Sequence, residues 1–121
     1  MAGAVLRVVI FPRHTAFYGT TPLPTRPINV KGYAKVLVTA WRGTGLGTTP
    51  ASVQYHLDQS SDLEHWHEIG SAVSPPANQE SSALKDLDME WMRCRAVVSG
   101  TNPGVTGWAV AVLVPRDGEG G

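Results

Sequence analysis

Chemically capable side chains crowd the stretch "DQSSDLEHWHEIG", which begins at Asp58. A His-x-His pair, His65 and His67, follows a strand that carries a third histidine, His56, and zinc accepts three such ligands from neighbouring strands. Alternation about Trp66 would put this pair on the outer face, where His56 and Asp58 also project. The stretch lacks the ligand spacing of specific zinc motifs. We therefore predict no metal, keep the three histidines as candidate ligands, and retain a solvated polar surface as the alternative.

The same stretch also fits the turn of a β-hairpin. Ser60 and Asp62 are residue types whose side chains bond nearby backbone N–H groups and stabilise turns. We expect Trp66 to fold back over the hairpin and to anchor it in the core, where a large aromatic side chain contributes about 3 kcal/mol or more. Because this interpretation accounts for all three residues, we favour a structural hairpin over an active site.

Other catalytic arrangements are poorly supported. Neither serine of the stretch lies in a Gly-x-Ser-x-Gly elbow. Cys94 falls in mid-strand on the face opposite Arg93 and Arg95, which predicts a buried thiol, with the two arginines on a solvated or salt-bridged face. The glycines of "GTGLG" (43–47) precede a strand rather than a helix, so they cannot cradle a phosphate. We predict a protein that is not an enzyme and needs no cofactor.

Composition limits the function classes further. The chain has 121 residues, of which 42% are hydrophobic and 17% charged, as expected of one globular domain over 1–121. A formal net charge of zero argues against a nucleic-acid partner. No apolar run reaches the roughly 18 residues of a membrane-spanning helix. Arg7 interrupts the apolar N-terminus, so we expect a first strand there rather than a secretion signal.

The charges are segregated along the chain. Residues 1–57 contain no acidic residue, and all ten acids lie between Asp58 and Glu119. If strand pairing did not mix the two halves, the molecule would have a positive and a negative end, which suits head-to-tail assembly.

The elements that must position these residues are short strands. Strong β patterns cover 4–11, 34–41, 52–59, 91–98 and 108–114, and weaker ones cover 15–18, 28–30, 65–69 and 80–87. Clusters of glycine and proline separate them and leave no room for a long helix. The pattern predicts an all-β chain, a single antiparallel β-sandwich of jelly-roll or Ig-like type, with long Gly/Pro-rich loops and a Gly-rich tail at 115–121.

Two of these strands are apolar on both faces. In 34–41 and 108–114, valine, leucine, alanine and tryptophan occupy both sets of alternate positions. We expect these strands to be central in a sheet or covered by another subunit.

The segment 18–30 has a different character. Its part "TTPLPTRP" (20–27) holds three prolines, so we expect an extended arm without ladder hydrogen bonds. Such an arm loses little entropy when it lies along a partner. The predicted partner-binding residues are Pro22, Pro24, Arg26, Pro27 and Ile28.

The spacing Ser60-x-Asp62-x-x-x-Trp66, between "VQYHLDQ" and "WMRCRAVVSG", resembles that of β-sandwich accessory proteins of tailed-phage and related virions, the capsid-decoration type. It is more weakly similar to the turn of discoidin-like jelly rolls. In both groups glycine is usual where Leu63 stands, so the turn geometry should differ. The resemblance covers about residues 52–114.

The virion resemblance implies a structural protein without catalysis, made in the host cytoplasm and carried on the virion. Its partners would be the major capsid protein, copies of itself, or both, with neither nucleic acid nor membrane involved. The alternative is a carbohydrate-binding module that stacks sugars on Trp41, Trp66 or Trp91.

Overall fold

The computed structural model describes residues 5–47, 49–101 and 103–115, and these form nine strands in two antiparallel sheets. The strands are β1 (Leu6–Tyr18), β2 (Leu23–Pro24), β3 (Ile28–Asn29), β4 (Tyr33–Arg42), β5 (Thr49–Ser60), β6 (His67–Glu68), β7 (Gln79–Asp86), β8 (Trp91–Thr101) and β9 (Gly104–Pro115).

The first sheet has the order β1-β9-β4-β7, and in the second β8 lies between β5 and the short strands β2 and β3, with β6 beyond β5. This confirms the predicted all-β antiparallel sandwich. In the described residues no helix is long and apolar enough to span a membrane. Most of the predicted tail, from residue 116 on, lies outside the described residues.

One long strand, β1, replaces the two predicted strands at 4–11 and 15–18. Its pairing with β9 shifts register between Val9 and Phe11 and again between Phe11 and Thr15. His14, within the second irregularity, has a φ of 67°. The chain therefore passes through two irregularities without leaving the sheet.

The core lies between the inward faces of the two sheets, and its members alternate along each strand. From the first sheet they include Val36, Val38, Ala40, Ala109, Ala111 and Leu113; from the second, Val53, Tyr55, Leu57, Met92, Cys94, Ala96 and Val98.

At one end of the core, Phe11, Phe17 and Tyr55 pack as an aromatic cluster, with ring centroids 5.2–6.1 Å apart. The Tyr55 hydroxyl donates a hydrogen bond to the Trp41 carbonyl oxygen (3.0 Å), so its polar end is satisfied. Burial raises the pKa of Tyr55 far above its usual value and keeps the phenol neutral.

The two strands that are apolar on both faces occupy the middle of the first sheet. β9 lies between β1 and β4, and β4 lies between β9 and β7. Their inward side chains reach the core, whereas Leu37, Val110 and Val112 point away from it and remain partly exposed. The sandwich therefore accounts for only one of their two apolar faces.

The expectation that residues 20–27 make no ladder hydrogen bonds is wrong. Leu23 and Pro24 pair with β8, and the next residue, Thr25, donates its N–H to the Cys94 carbonyl (2.8 Å) and accepts from the Cys94 N–H through its hydroxyl (3.0 Å). Proline is compatible with an edge strand because its missing N–H can face away from the sheet. The predicted arm thus forms an edge of its own sandwich, and Ile28 packs against the core.

Substitution of Gly107 tests the packing between β9 and the aromatic cluster. A Cβ at Gly107 would overlap the Tyr55 hydroxyl and lie 2.8 Å from the Trp41 carbonyl oxygen, so it would displace both partners of that hydrogen bond. We expect Gly107→Ala to lower the free energy of unfolding by about 3 kcal/mol, measured by urea denaturation. Gly104→Ala is the matched control on the same strand, because its Cβ would meet only the Tyr18 ring, at 3.4 Å. Equal stability of the two variants would contradict this packing.

Candidate interaction surfaces

The turn after β5 is built by two side chains. Ser60 is fully buried, and its Oγ accepts hydrogen bonds from the backbone N–H groups of Asp62 (3.2 Å) and Leu63 (2.9 Å). The Asp62 Oδ1 atom in turn accepts from the N–H groups of Glu64 and His65, both at 2.8 Å. Hydrogen bonds from the backbone and ring of His65, followed by that from Glu64, hold the pKa of Asp62 well below its usual range. These two side chains therefore close the turn from inside it.

Leu63 adopts a left-handed backbone conformation with a φ of 67°. This is the position at which the resembled turn motifs usually carry glycine. A leucine here costs about 1–2 kcal/mol of backbone strain, since its Cβ crowds the following carbonyl oxygen. The turn therefore tolerates a strain that glycine would avoid.

An ionic network covers the outer face of the second sheet. The Asp58 side chain is only 3% exposed and accepts hydrogen bonds from Arg93 Nε (3.0 Å), Arg95 Nε (2.6 Å) and Arg95 Nη2 (3.1 Å). Arg95 also reaches Glu68 (3.3 Å), which contacts His56 Nδ1 (2.9 Å). The hydrogen bond to Asp58 is the main cause that raises the pKa of Arg95. Both arginines are thus neutralised within the chain and do not form an open anion site.

Trp66 does not enter the core, contrary to the expectation from sequence. Its ring is partly buried on the outside of the second sheet, where the Arg93 guanidinium lies 4.3 Å from the ring centroid. A cation over an indole face gains about 0.5–2 kcal/mol, depending on how far the pair is desolvated. The hairpin therefore places Trp66 against the ionic network rather than against the core.

The three candidate metal ligands lie apart. His56 contacts Glu68, His65 contacts Asp62 (2.8 Å), and His67 pairs with Gln59 in the β5–β6 register. Because that register sets Glu68 opposite Asp58, it is Glu68 and not His67 that shares the outer face with His56.

A different group has ligand atoms within 4.8 Å of one another: Asp62, Glu64 and His65, all exposed. The Asp62 carboxylate is already engaged by both backbone and ring donors of the turn. Exposed acidic groups of this kind are common in turns, and we assign no metal to them.

Cys94 is 1% exposed, and burial raises its pKa to about 12. A thiol in this state is a poor nucleophile because the reactive thiolate is almost absent near neutral pH. Its backbone instead pairs with Thr25, which ties the proline-rich segment to β8.

The outer side of the first sheet is mostly apolar, although Thr39 and Ser82 also lie on it and hydrogen bond to each other (2.9 Å). We call it the outer apolar face, and its members are Val9, Leu37, Leu84, Trp108, Val110 and Val112. Among them Val9, Leu37 and Leu84 are 51%, 38% and 59% exposed. Among the described residues, no other segment packs over this side of the sheet. The sequence indicated the contribution of β4 and β9 but not that of Val9 and Leu84, whose place on this face depends on strand pairing.

A groove of about 460 Å³ crosses this face between β1 and β9. Val9, Val110 and Val112 line it, and arginines stand at both ends. One of these, Arg13, lies over the Trp108 ring at 4.9 Å from its centroid. The groove is thus apolar along its floor and positively charged at its rim.

The tryptophans offer little platform for sugars. Arg93 occupies one face of the Trp66 ring and Arg13 one face of the Trp108 ring. Trp41 and Trp91, the other two proposed platforms, are both partly buried and lie on different sheets. Trp41 lies opposite Trp108 and lines one pocket with it, but Arg13 covers one face of the Trp108 ring, and stacking against a sugar needs an open ring face.

Comparison with known proteins agrees with the fold. No protein-family model matches the sequence. A structure of infectious bursal disease virus, Gx strain, is similar with a TM-score of 0.57 at 9% identity, covering 93% of this chain and 32% of that one. The VP2 subviral particle of the same virus gives a TM-score of 0.54 at 7% identity, covering 93% and 33%. This chain therefore spans about a third of the length of those viral proteins, and at such identities the likeness shows a shared fold.

Two weaker likenesses cover nearly whole chains. The SPBc2 prophage-derived protein YomS gives a TM-score of 0.48 at 12% identity, covering 90% of this chain and 93% of that one. The CBM36-1 domain of a multidomain xylanase from the hindgut metagenome of Trinervitermes trinervoides gives 0.49 at 8% identity, covering 90% and 96%. These two likenesses are too distant to bear on function.

Asp58 is the centre of the ionic network, so its removal should be costly. We expect Asp58→Ala to lower the free energy of unfolding by about 3 kcal/mol or more, because it leaves two partly buried arginines without their main partner. Asp86→Ala removes an exposed partner of Lys35 and should cost less than about 1 kcal/mol. Urea denaturation of both variants measures the difference, and a small effect at Asp58 would show that the network does not stabilise the fold.

The strain at Leu63 predicts a stabilising glycine. Leu63→Gly and Leu63→Ala remove the same exposed side chain beyond Cβ, but only glycine relieves the left-handed backbone. We expect the glycine variant to be the more stable of the two by about 1 kcal/mol, measured by thermal or urea unfolding. If the alanine variant were equally stable, the turn would not carry this strain.

Proposed function

We propose that this chain is a non-enzymatic structural protein of a virion, an accessory subunit of the capsid shell that joins a neighbouring subunit through its outer apolar face. The observation that carries the proposal is the combination of an uncovered apolar sheet face with a sandwich of the kind found in a viral capsid protein. Its partners are the major capsid protein, copies of itself, or both. It would be made in the host cytoplasm and carried on the particle.

The contrast between the two outer faces supports this assignment. On the second sheet, Asp58, Arg93 and Arg95 compensate one another, so that face needs no partner. On the first sheet, Leu37 and Leu84 are exposed as cross-strand partners, and Val9 is exposed on β1, with Val110 and Val112 of β9 between them. Contiguous exposed apolar surface on a soluble protein usually marks an interaction site. A structural subunit works by burying such surface against its neighbours.

The proline-rich segment would add contacts with the particle from the edge of the second sheet. Pro22, Pro24, Arg26 and Pro27 are exposed along it, while Leu23 and Pro24 hold its backbone to β8. Since deletion of 20–27 would remove an edge strand of the fold, the cleaner test of this segment is Arg26→Ala. That variant should weaken attachment modestly, and more so at low salt, where exposed charges are less screened.

The function is tested on particles from the source of the sequence. Purified virions should contain the chain at a fixed ratio to the major capsid protein, measured by quantitative mass spectrometry across a density gradient. Val9→Glu should be lost from the particles because a charge in the apolar interface is left without a partner. Leu63→Glu is the matched control, since Leu63 is 44% exposed but lies in the turn after β5, on the other sheet.

Absence of the wild-type chain from gradient-purified virions would overturn the proposal. Retention of Val9→Glu at full occupancy would show that attachment uses another surface. Binding of isolated wild-type protein to a glycan array, lost on replacement of Trp41 or Trp91, would instead support the carbohydrate-binding alternative.

A further inference from the structure

The outer apolar face carries opposite charges on its two margins. Arg7 and Arg13 are exposed on the β1 margin, and Glu80 is exposed on the β7 margin. Among the described residues, neither Arg7 nor Glu80 has an ion-pair partner in the chain, whereas Asp86 of β7 is paired with Lys35 at 2.8 Å. The face therefore has one positive and one negative edge with apolar residues between them.

The shape of this face also differs between the β1 margin and the β7 margin. The groove lies towards the β1 margin, lined by Val9, Val110 and Val112. Leu84, the most exposed member of the face, stands on β7 at the other margin. A protruding side chain and a groove thus occupy opposite edges of one surface.

The strand registers set these features in matching rows across the sheet. One row runs from Leu84 through Leu37 and Val112 to Arg7 at the groove. A second row runs from Glu80 through Trp41 to Trp108, and Arg13 lies over the Trp108 ring.

We propose that a second copy of this chain occupies the outer apolar face, related by a two-fold axis parallel to the strands. This rotation lays β7 of one copy over β1 of the other and keeps each row at its own level. Leu84 of each copy then faces the groove of its mate, and Glu80 faces Arg13. A two-fold axis perpendicular to the strands would instead set arginine margins against each other, which costs energy. The self-complementary arrangement is isologous and closed, as expected of a dimer.

The available area suffices for such a dimer. Four strands spaced about 4.8 Å apart, over roughly ten residues of about 3.4 Å each, present on the order of 600 Å² per subunit. Specific interfaces bury about 600–1,000 Å² per partner. Aligned sheets pack face to face about 10 Å apart with strands within roughly 30° of one another, so the rows stay matched near the axis. The interface would form a second apolar layer outside the core.

This inference rests on the proposed function in that the dimer would be the unit that joins the particle, but it is tested on the isolated full chain. Sedimentation equilibrium should show a monomer–dimer equilibrium for the wild type. Leu84→Glu should raise the dissociation constant by about 30-fold or more, as for an interface hot spot. Leu63→Glu, the same change in the turn after β5, should leave the dissociation constant unchanged.

Charge reversal tests the orientation. Glu80→Arg alone and Arg13→Glu alone should each weaken the dimer, because like charges then meet across the interface. The double variant should restore it towards the wild-type constant. Failure of the double variant to recover, with all variants folded by circular dichroism, would overturn the proposed axis.

A wild-type chain that stays monomeric up to high concentration would overturn the second copy as occupant. If Val9→Glu were still lost from virions in that case, the face would bind the shell directly and the proposed function would stand. If the dimer formed but virions lacked the chain, the dimer would stand and the function would fail.

Discussion

Two neighbouring strands with apolar side chains on both faces set the constraint on which this molecule depends. In a two-layer sandwich each sheet can bury only one face, and β4 and β9 give Val36, Val38, Ala109 and Ala111 to the core. The hydrophobic effect that stabilises the fold therefore leaves the other side of the same strands unsatisfied. Burial of that side, at roughly 25 cal/mol per Å² of apolar area, is free energy still available for assembly. The interaction surface follows from the way the core is built.

On the second sheet, charged side chains take the place of apolar ones on the outward face. Its outward positions carry Asp58, Arg93 and Arg95, which the register of β5 and β8 sets beside one another. Removing a carboxylate from water is costly, and three hydrogen bonds from arginines offset that cost. Trp66 then lies against Arg93 on the solvent side. The turn that seemed rich in catalytic side chains thus supports a structural ion pair.

The sheet edges favour face-to-face over edge-to-edge contact. β1 is an edge strand interrupted by two register shifts, and Pro12 lies within the second of them. The edge formed by β2 contains Pro24, and at the opposite edge β6 is only two residues long. Prolines, bulges and short strands all hinder the addition of another strand. The fourth edge, β7, is regular over eight residues but carries Glu80, Lys85 and Asp86, and charged side chains also oppose strand addition. Since one face is bare, a neighbouring subunit is best accommodated there.

The sequence by itself determined the features that depend on local spacing. Alternation with period two sorted Val53, Tyr55 and Leu57 into the core, because successive side chains of any strand point to opposite faces. The double apolar pattern of β4 and β9 predicted strands that are central or covered by another subunit, and both strands are central in their sheet. The side chains of Ser60 and Asp62 bond backbone groups within three residues, so their turn was also visible in the sequence.

What only the tertiary structure decided depends on pairing between distant segments. A one-residue difference in the β5–β6 register put Glu68 rather than His67 beside His56, and so separated the histidines of the supposed metal site. Trp66 and the proline-rich segment found their partners on β8, which lies far along the chain. The outer apolar face likewise needs β1 and β7 brought to the margins of β9 and β4. Register and strand order are set by the packing of the whole core, and no local stretch of sequence contains that information.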